Sequence, residues 1–137
     1  MTRVTGLGGV FFKAEDMEKL GAWYERHLGI KCMGGGGGVF FRFLWREAEN
    51  PRQEGETVWA IFPRTSRYFD PSTAGFMLNY RVKDLDAFIE LLQSEGVTID
   101  PRRENDENGR FAWIMDPEGN RIELWEPPKN PPQKAEP

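Results

Sequence analysis

One carboxylate, Glu123, lies in a short stretch with the pattern of a β-strand. Residues 121–125 alternate between polar and apolar, so Glu123 shares one face with Arg121 and Trp125. A carboxylate between such neighbours is either paired with an arginine, such as Arg121 or Arg81, or placed in a cavity as a ligand or general base. Glu123 is therefore the candidate catalytic residue.

Three other features could also do chemistry, and each favours an ordinary structural explanation. His27 is the only histidine and falls in the last turn of a predicted helix, where a cation is favourable. Cys32 is the only cysteine, which excludes an internal disulfide and is typical of a half-buried thiol. The glycine run at 34–38 is followed by an apolar strand pattern rather than by Lys-Ser or Lys-Thr, so it predicts a mobile hairpin connection.

Composition excludes several functional classes. The chain has 137 residues, 39% of them hydrophobic, which suits one domain with a sizeable core. Its net charge is −4 and it has no basic stripe, which argues against a nucleic-acid partner. It also lacks an apolar segment long enough to cross a bilayer and a signal-like N-terminus, so we expect a cytoplasmic protein that does not enter membranes.

Glu123 must be positioned by the elements around it. The residues Asp116 to Asn120 carry turn chemistry between two strand patterns, which predicts a hairpin. Upstream, Asp84 is a natural N-cap for a helix over 85–95, and Gly96 is its expected stop. In the first half, Asp16 caps a predicted helix over 17–27 that Gly29 ends.

The same order of elements therefore occurs twice. Each half reads β-α-β-β-β, with repeat one over 8–63, a linker over 64–75 and repeat two over 76–127. Since a single unit would leave sheet edges unpaired, we predict an α+β fold in which both units form one curved, cavity-enclosing mixed sheet with helices outside. Residues 1–127 form one domain in this prediction, and 128–137 form a disordered proline-rich tail. Two finer expectations are exposed aromatics at Tyr68 and Phe69, and a strand over 97–99 that Pro101 ends before a polar loop.

Three stretches carry a resemblance to a known family. They are A-E-D-M-E-K-L-G-A-W-Y-E-R-H-L-G-I, V-K-D-L-D-A-F-I-E-L-L-Q-S-E-G-V and the closing D-P-E-G-N-R-I-E-L-W-E-P. In this order, they resemble the glyoxalase / bleomycin-resistance / extradiol-dioxygenase superfamily, whose fold is called vicinal oxygen chelate. The resemblance extends from Gly8 to Pro127 and implies a homodimer.

The resemblance also implies four metal-ligand positions, on the opening and closing strand of each half. In this sequence they are Gly9, Ala60, Met77 and Glu123. Because one carboxylate is too few for a tight site, we predict no metal cofactor, with a divalent metal as the alternative.

The remaining residues of the expected cavity favour binding of a small organic molecule. The candidate ligand-binding residues are Phe11, Phe62, Asn79, Arg81 and Trp125. The acidic balance of the chain favours a cationic ligand. Two alternatives remain open. One is a lyase, isomerase or metal-dependent glyoxalase or dioxygenase that uses Glu123, and the other is a protein whose role is assembly and whose cavity is vestigial.

Overall fold

The computed structural model describes residues 3–35 and 38–129. Two predictions therefore fall partly outside the described residues, namely the tip of the glycine run and most of the proline-rich tail. The elements, in chain order, are β1 (Val4–Ala14), α1 (Met17–Leu28), β2 (Met33–Gly35), β3 (Gly38–Arg46), β4 (Glu54–Pro63), β5 (Phe76–Val82), α2 (Leu85–Ser94), β6 (Thr98–Asp106), β7 (Gly109–Met115) and β8 (Arg121–Glu126).

Both helices begin at an aspartate, as predicted. The Asp16 side chain accepts a hydrogen bond from the Lys19 N–H, and the Asp84 side chain accepts one from the Ala87 N–H. Gly29 ends α1 with φ 71°, in the left-handed conformation that costs glycine little. Neither helix, in the part of the chain that the structure describes, is long and apolar enough to cross a membrane.

The strands form one eight-stranded sheet in the order β2-β3-β4-β1-β5-β8-β7-β6. β1 pairs with β4 and β5 pairs with β8 in parallel, whereas the other neighbours are antiparallel. The two β-α-β-β-β halves meet where β1 pairs with β5, which leaves the sheet mixed and unclosed. The predicted α+β fold class is confirmed.

The two sides of the sheet bury different residues. One side carries the helices, and its larger cluster joins α2 side chains such as Leu85 and Phe88 to Ala112 and Leu124. The opposite side, here called the inner face, is defined by Phe11, Ala60, Met77, Asn79, Trp113 and Glu123. The strand alternation predicted from the sequence thus separates a helix-packing side from a side that holds the polar candidates.

The linker, residues 64–75, packs onto the inner face. The prediction that Tyr68 and Phe69 are exposed was wrong, since Phe69 is 0% exposed and Tyr68 is half-buried. The Phe69 ring lies 5.2 Å from that of Phe62, and the Lys13 ammonium lies 5.2 Å from the Phe69 ring centre. The linker lacks the apolar periodicity that indicates burial. Its aromatic rings are nevertheless wholly or partly buried because they cover apolar surface of the inner face that would otherwise meet water.

The strand after α2 is longer than predicted. Pro101 does not end it, because β6 continues to Asp106 and pairs with β7 from Arg103 onward. Pro101 falls within a register shift between Ile99 and Arg103, and β6 is the last strand in the sheet order. Proline, which lacks an N–H, is tolerated at such an irregularity of an edge strand.

Candidate functional site

Glu123 is a buried carboxylate held by three side-chain donors. Its exposure is 2%, and its Oε1 accepts a hydrogen bond from Asn79 Nδ2 at 2.5 Å. Its Oε2 accepts one from Trp113 Nε1 at 3.0 Å and another from the Tyr68 hydroxyl. The three donors come from β5, β7 and the linker, so the carboxylate ties together three separate parts of the chain.

Strand register places two of these donors. Asn79 lies opposite Glu123 in the parallel β5–β8 pair, and Trp113 lies opposite Glu123 in the antiparallel β7–β8 pair. The β7–β8 register follows from the turn, in which the Asp116 N–H donates to the Asn120 carbonyl at 2.9 Å and Gly119 takes φ 83°. The sequence-predicted turn therefore fixes which β7 side chain meets Glu123.

The charge on Glu123 is opposed by burial. Burial raises the pKa of Glu123 above its ordinary value, while the hydrogen bonds from Tyr68, Asn79 and Trp113 and the nearby Arg121 charge act to lower it. Burial and the Glu123 charge also raise the pKa of the Tyr68 hydroxyl, which stays protonated and can donate. The result is a carboxylate that accepts three hydrogen bonds in a dry environment.

Arg121 does not form the ion pair with Glu123 that the sequence left open. It is 4% exposed, and its Nη2 lies 3.1 Å from Asp100 Oδ2 while its Nη1 donates to the Tyr68 carbonyl. Within the described residues, Glu123 has no cation within ion-pair distance. Arg121 instead connects β8 to the linker through the Tyr68 carbonyl.

Arg81 lies two residues beyond Asn79 on β5, between two indole rings. Its guanidinium carbon is 5.3 Å from the Trp45 ring centre and 5.0 Å from that of Trp125. Trp125 in turn stacks on Phe111, with ring centres 6.1 Å apart and planes 4° from parallel. This end of the inner face is aromatic and positively charged.

A bulge in β1 brings bare backbone against Asn79. The register between β1 and β5 shifts between Leu7 and Gly9, and a Cβ added at Gly8 would lie 2.1 Å from Asn79 Oδ1. Asn79 is 2% exposed, and its Oδ1 has no hydrogen-bond partner among the described residues. Glycine at position 8 is thus required for the position of the Asn79 amide, which donates a hydrogen bond to Glu123.

The four positions that the resemblance assigned to a metal do not suit one. Gly9 and Ala60 have no side-chain ligand atom, Met77 offers only a thioether, and both Glu123 oxygens already accept hydrogen bonds from protein groups. No group of three or more His, Cys, Asp or Glu side chains in the described residues could hold an ion. The donor set of this site therefore does not fit a divalent metal.

The structure brings all six sequence-predicted site residues onto one face, in three pairs. Glu123 and Asn79 are in direct contact, while Arg81 and Trp125 form the charged aromatic end. Phe11 and Phe62 lie at the other end, with ring centres 5.5 Å apart beside the linker.

Sequence reasoning missed Tyr68, Trp113 and Trp45 as parts of the site. Trp113 could have been found by pairing outward from the predicted turn. Tyr68 and Trp45 gave no local signal, because long-range packing positions both of them.

A separate groove lies at the start of α1. It has a volume of about 550 Å³ and is lined by Lys13, Ala14, Glu15, Asp16, Lys19, Leu20, Trp23, Tyr24 and Arg64. None of the residues that surround Glu123 lines this groove, so the groove is separate from the candidate site. Its charges are mixed and partly paired, with Arg64 Nε 3.4 Å from Glu15 Oε1.

Solved structures with the same fold include several methylmalonyl-CoA epimerases. The enzyme of Mycobacterium tuberculosis is 25% identical, with a TM-score of 0.65 over 93% of this chain and 91% of that one. A Streptomyces coelicolor methylmalonyl-CoA epimerase variant in complex with 2-nitronate-propionyl-CoA is 14% identical, with a TM-score of 0.68 over 94% and 99%. A Legionella pneumophila protein described as an NAD-dependent benzaldehyde dehydrogenase is 13% identical, with a TM-score of 0.57 over 88% and 98%.

These likenesses establish the architecture, and the different activities attached to it show that the fold does not fix the chemistry. No curated protein matches the chain. The family model of the Glyoxalase/Bleomycin resistance protein/Dioxygenase superfamily matches residues 6–124. Because the match covers most of the chain and reaches into all eight strands, the chain belongs to this superfamily.

Proposed function

We propose that this protein binds a small organic molecule on the inner face without a metal ion. The observation that carries the proposal is the Glu123 cluster, in which a 2% exposed carboxylate is held by Asn79, Trp113 and Tyr68. A purely structural core gains little from a buried carboxylate, since its desolvation is costly. A polar group among aromatic walls is the usual composition of a site that orients a ligand.

The linker defines how such a ligand would enter. Tyr68 stacks on Phe62 with ring centres 5.6 Å apart and planes 13° from parallel, and its hydroxyl covers Glu123. In this proposal a ligand reaches Glu123 directly only when Tyr68 moves aside, whereas it first meets the Arg81 and Trp125 end, whose side chains are 8% and 7% exposed, with the linker in place. Binding is thus proposed to begin at the Arg81 end and to extend toward Asn79.

Tryptophan fluorescence tests this proposal, because Trp125 and Trp45 lie at the expected entry and Trp23 lies on α1. Compounds from a small-molecule library that raise the melting temperature should quench or shift the emission of the wild type. Trp125→Phe should remove most of that change, while Trp23→Phe, at a side chain 50% exposed, should not. Compounds whose signal depends on Trp23 alone would place binding elsewhere and refute the proposal.

Proton transfer is the second candidate function, favoured by the raised pKa of Glu123 and the likeness to a methylmalonyl-CoA epimerase. A carboxylate with a raised pKa is a better general base near neutral pH than an ordinary one. In this version Tyr68 moves off Glu123, and the carboxylate removes a proton from the carbon beside a carbonyl group.

Deuterium incorporation separates the two functions. Methylmalonyl-CoA in D₂O would acquire deuterium faster with the wild type than with Glu123→Gln, as followed by mass spectrometry. Glu118→Gln, in the exposed turn of the same hairpin, is the matched control and should behave as wild type. Equal incorporation with all three proteins and with buffer alone would leave binding as the function.

Assembly as a homodimer is a further part of the proposal. Phe43 on β3 is 43% exposed, and its ring lies 4.9 Å from that of Phe41, two residues earlier on the same face of the strand. Burying such a patch against a second copy would remove it from water. Light scattering during size-exclusion chromatography should give twice the 15.8 kDa chain mass, and Phe43→Lys should shift the mass toward the monomer.

A further inference from the structure

Arg81 is a nearly buried cation whose hydrogen-bond donors meet no partner in residues 3–35 and 38–129. The residue is 8% exposed, yet its guanidinium forms no hydrogen bond and no ion pair with any described residue. Burial lowers the pKa of Arg81, and the charges of Glu56 and Glu47 oppose that effect only from beyond ion-pair distance. One of these two carboxylates, Glu56, has Arg42 as its ion-pair partner at 3.7 Å.

The surroundings of Arg81 fix its guanidinium without using its donors. Both flanking indoles have their N–H groups engaged elsewhere, since Trp45 Nε1 donates to Thr57 Oγ1 and Trp125 Nε1 donates to the Asn108 carbonyl, each at 2.8 Å. The two indoles therefore contact the Arg81 guanidinium through their ring faces and not through their N–H groups. Arginine carries five N–H donors in a planar fork, and no acceptor in the described part of the chain hydrogen-bonds to this fork.

Glycines on two strands make this arrangement possible. A Cβ added at Gly55 would lie 2.3 Å from the Trp45 ring, and one at Gly6 would lie 2.9 Å from it. A Cβ at Gly8 would lie 3.0 Å from Arg81 Cγ and 3.1 Å from Trp125 Cε3. The sandwich depends on bare backbone at all three positions, which marks it as a specifically shaped environment rather than a surface arginine that happens to be covered.

We propose that Arg81 is the anchor for the carboxylate of a small organic ligand. This inference rests on the proposed function and names the ligand class for it. A carboxylate matches the fork with two parallel hydrogen bonds, and the partly dehydrated setting strengthens them. The sequence-based expectation of a cationic ligand followed from the net charge of the whole chain, whereas the charge presented at this end of the inner face is positive.

Asn79 gives the ligand a second point of contact. It lies on the same strand and face as Arg81, and its Oδ1 is an unsatisfied acceptor. The Gly8 backbone lies against this oxygen, so a ligand hydroxyl or amine near the carboxylate can donate to it only when that backbone shifts, while the carbon skeleton lies against Trp125. Glu123 is hydrogen-bonded to Asn79, so it is close enough either to orient the ligand or to exchange a proton with it.

Matched pairs of ligands test the proposal. Aromatic and aliphatic monocarboxylates, including phenylacetate, would be titrated calorimetrically beside their primary amides, benzylammonium and inorganic phosphate. At least one carboxylate should bind the wild type roughly ten-fold or more tightly than its amide, as expected for losing a charge-assisted pair. Arg81→Met should abolish that preference, and Arg81→Lys should retain part of it. Arg3→Met removes the same charge at an exposed pair with Glu95 and should change nothing.

Each alternative outcome has a distinct meaning. Equal affinity for acids and amides, unaffected by Arg81→Met, would overturn the carboxylate anchor and leave ligand binding intact. Phosphate binding as tightly as the best carboxylate would overturn the organic class of the anion. No binding by any compound would overturn both this inference and the proposed function. Should Arg81→Met fail to fold, the wild-type affinity for the acid must weaken with added salt while that for the amide stays constant.

Discussion

The Tyr68 hydroxyl donates a hydrogen bond to the Glu123 carboxylate, joining the linker between the two halves to the closing strand of the second half. The Tyr68 backbone is fastened independently, because its carbonyl accepts a hydrogen bond from Arg121. One linker residue therefore contacts both polar side chains that β8 presents to the inner face. A ligand can therefore contact Glu123 only if the linker residue Tyr68 moves away from it.

Removing the Tyr68 hydroxyl should destabilise the fold. Tyr68→Phe leaves the ring stacked on Phe62 but deprives a buried carboxylate of one donor, which typically costs about 1.5–3 kcal/mol. The free energy of unfolding in urea measures the loss. Tyr80→Phe, at a half-buried tyrosine of the helix-packing side, is the control and should change it by less than about 0.5 kcal/mol. Equal effects of the two substitutions would show that the Tyr68–Glu123 contact contributes no stability.

Glu123 should make folding stability depend on pH in an unusual direction. Its pKa is raised in the folded state above the ordinary 4.5, so the folded protein holds the proton more tightly than the unfolded chain. The stability that this group contributes is complete below pH 4.5 and is lost as pH rises through the folded-state pKa. Asp86 and Asp100, whose pKa values are lowered by their arginine partners and hydrogen bonds, act in the opposite direction.

The contribution of Glu123 is isolated by subtraction. The unfolding free energy of the wild type minus that of Glu123→Gln should fall with rising pH above about 4.5, because only the wild type carries the titrating group. A difference that rises with pH would mean that hydrogen bonding, rather than burial, dominates the folded-state pKa of Glu123.

Gly8→Ala should disturb the site through Asn79. Its new Cβ would lie 2.1 Å from Asn79 Oδ1, and overpacking of this kind costs about 1–3 kcal/mol. Gly75→Ala, where a Cβ meets nothing within 4 Å, is the matched control. Combining Gly8→Ala with Asn79→Ser should recover part of the loss, because the shorter side chain vacates the contact. Additive losses in the double variant would place the strain elsewhere.

Arg121→Met should loosen the linker. The substitution removes the donor to the Tyr68 carbonyl and the partner of Asp100, and we expect a loss of about 2–3 kcal/mol, below the cost of a fully buried pair because Asp100 is partly exposed. Trypsin should then cleave faster after Arg64 and Arg67, which lie in the linker. Arg110→Met removes another arginine paired on the same sheet and should leave linker cleavage unchanged. Unchanged cleavage in Arg121→Met would show that Tyr68 and Phe69 hold the linker alone.

Protein purified without chelators should contain less than about a tenth of a metal ion per chain, because a single carboxylate is a poor site for divalent metals. Mass spectrometry of the native protein and elemental analysis measure the content. Glu123→Gln should leave it unchanged. A near-stoichiometric metal that disappears in Glu123→Gln would show that ligands outside the assigned positions complete a site.

Local sequence patterns determined much of this protein. The capping aspartates, the helix-ending Gly29 and the turn at 116–120 act over a few residues, so the order of elements and the place of Glu123 on β8 could be predicted. The pairing of Trp113 with Glu123 was also implicit in that turn. These features depend on short-range hydrogen bonding and strand alternation, which a sequence expresses directly.

Tertiary structure alone decided what surrounds Glu123 and Arg81. Tyr68 reaches Glu123 from the linker, and Trp45 reaches Arg81 from β3, across distances in the chain over which no periodic pattern operates. The extension of β6 past Pro101 likewise depended on its edge position in the sheet. These contacts form because apolar surface is buried away from water and because buried charged groups need hydrogen-bond partners. Both effects arise only once the sheet has brought these residues together.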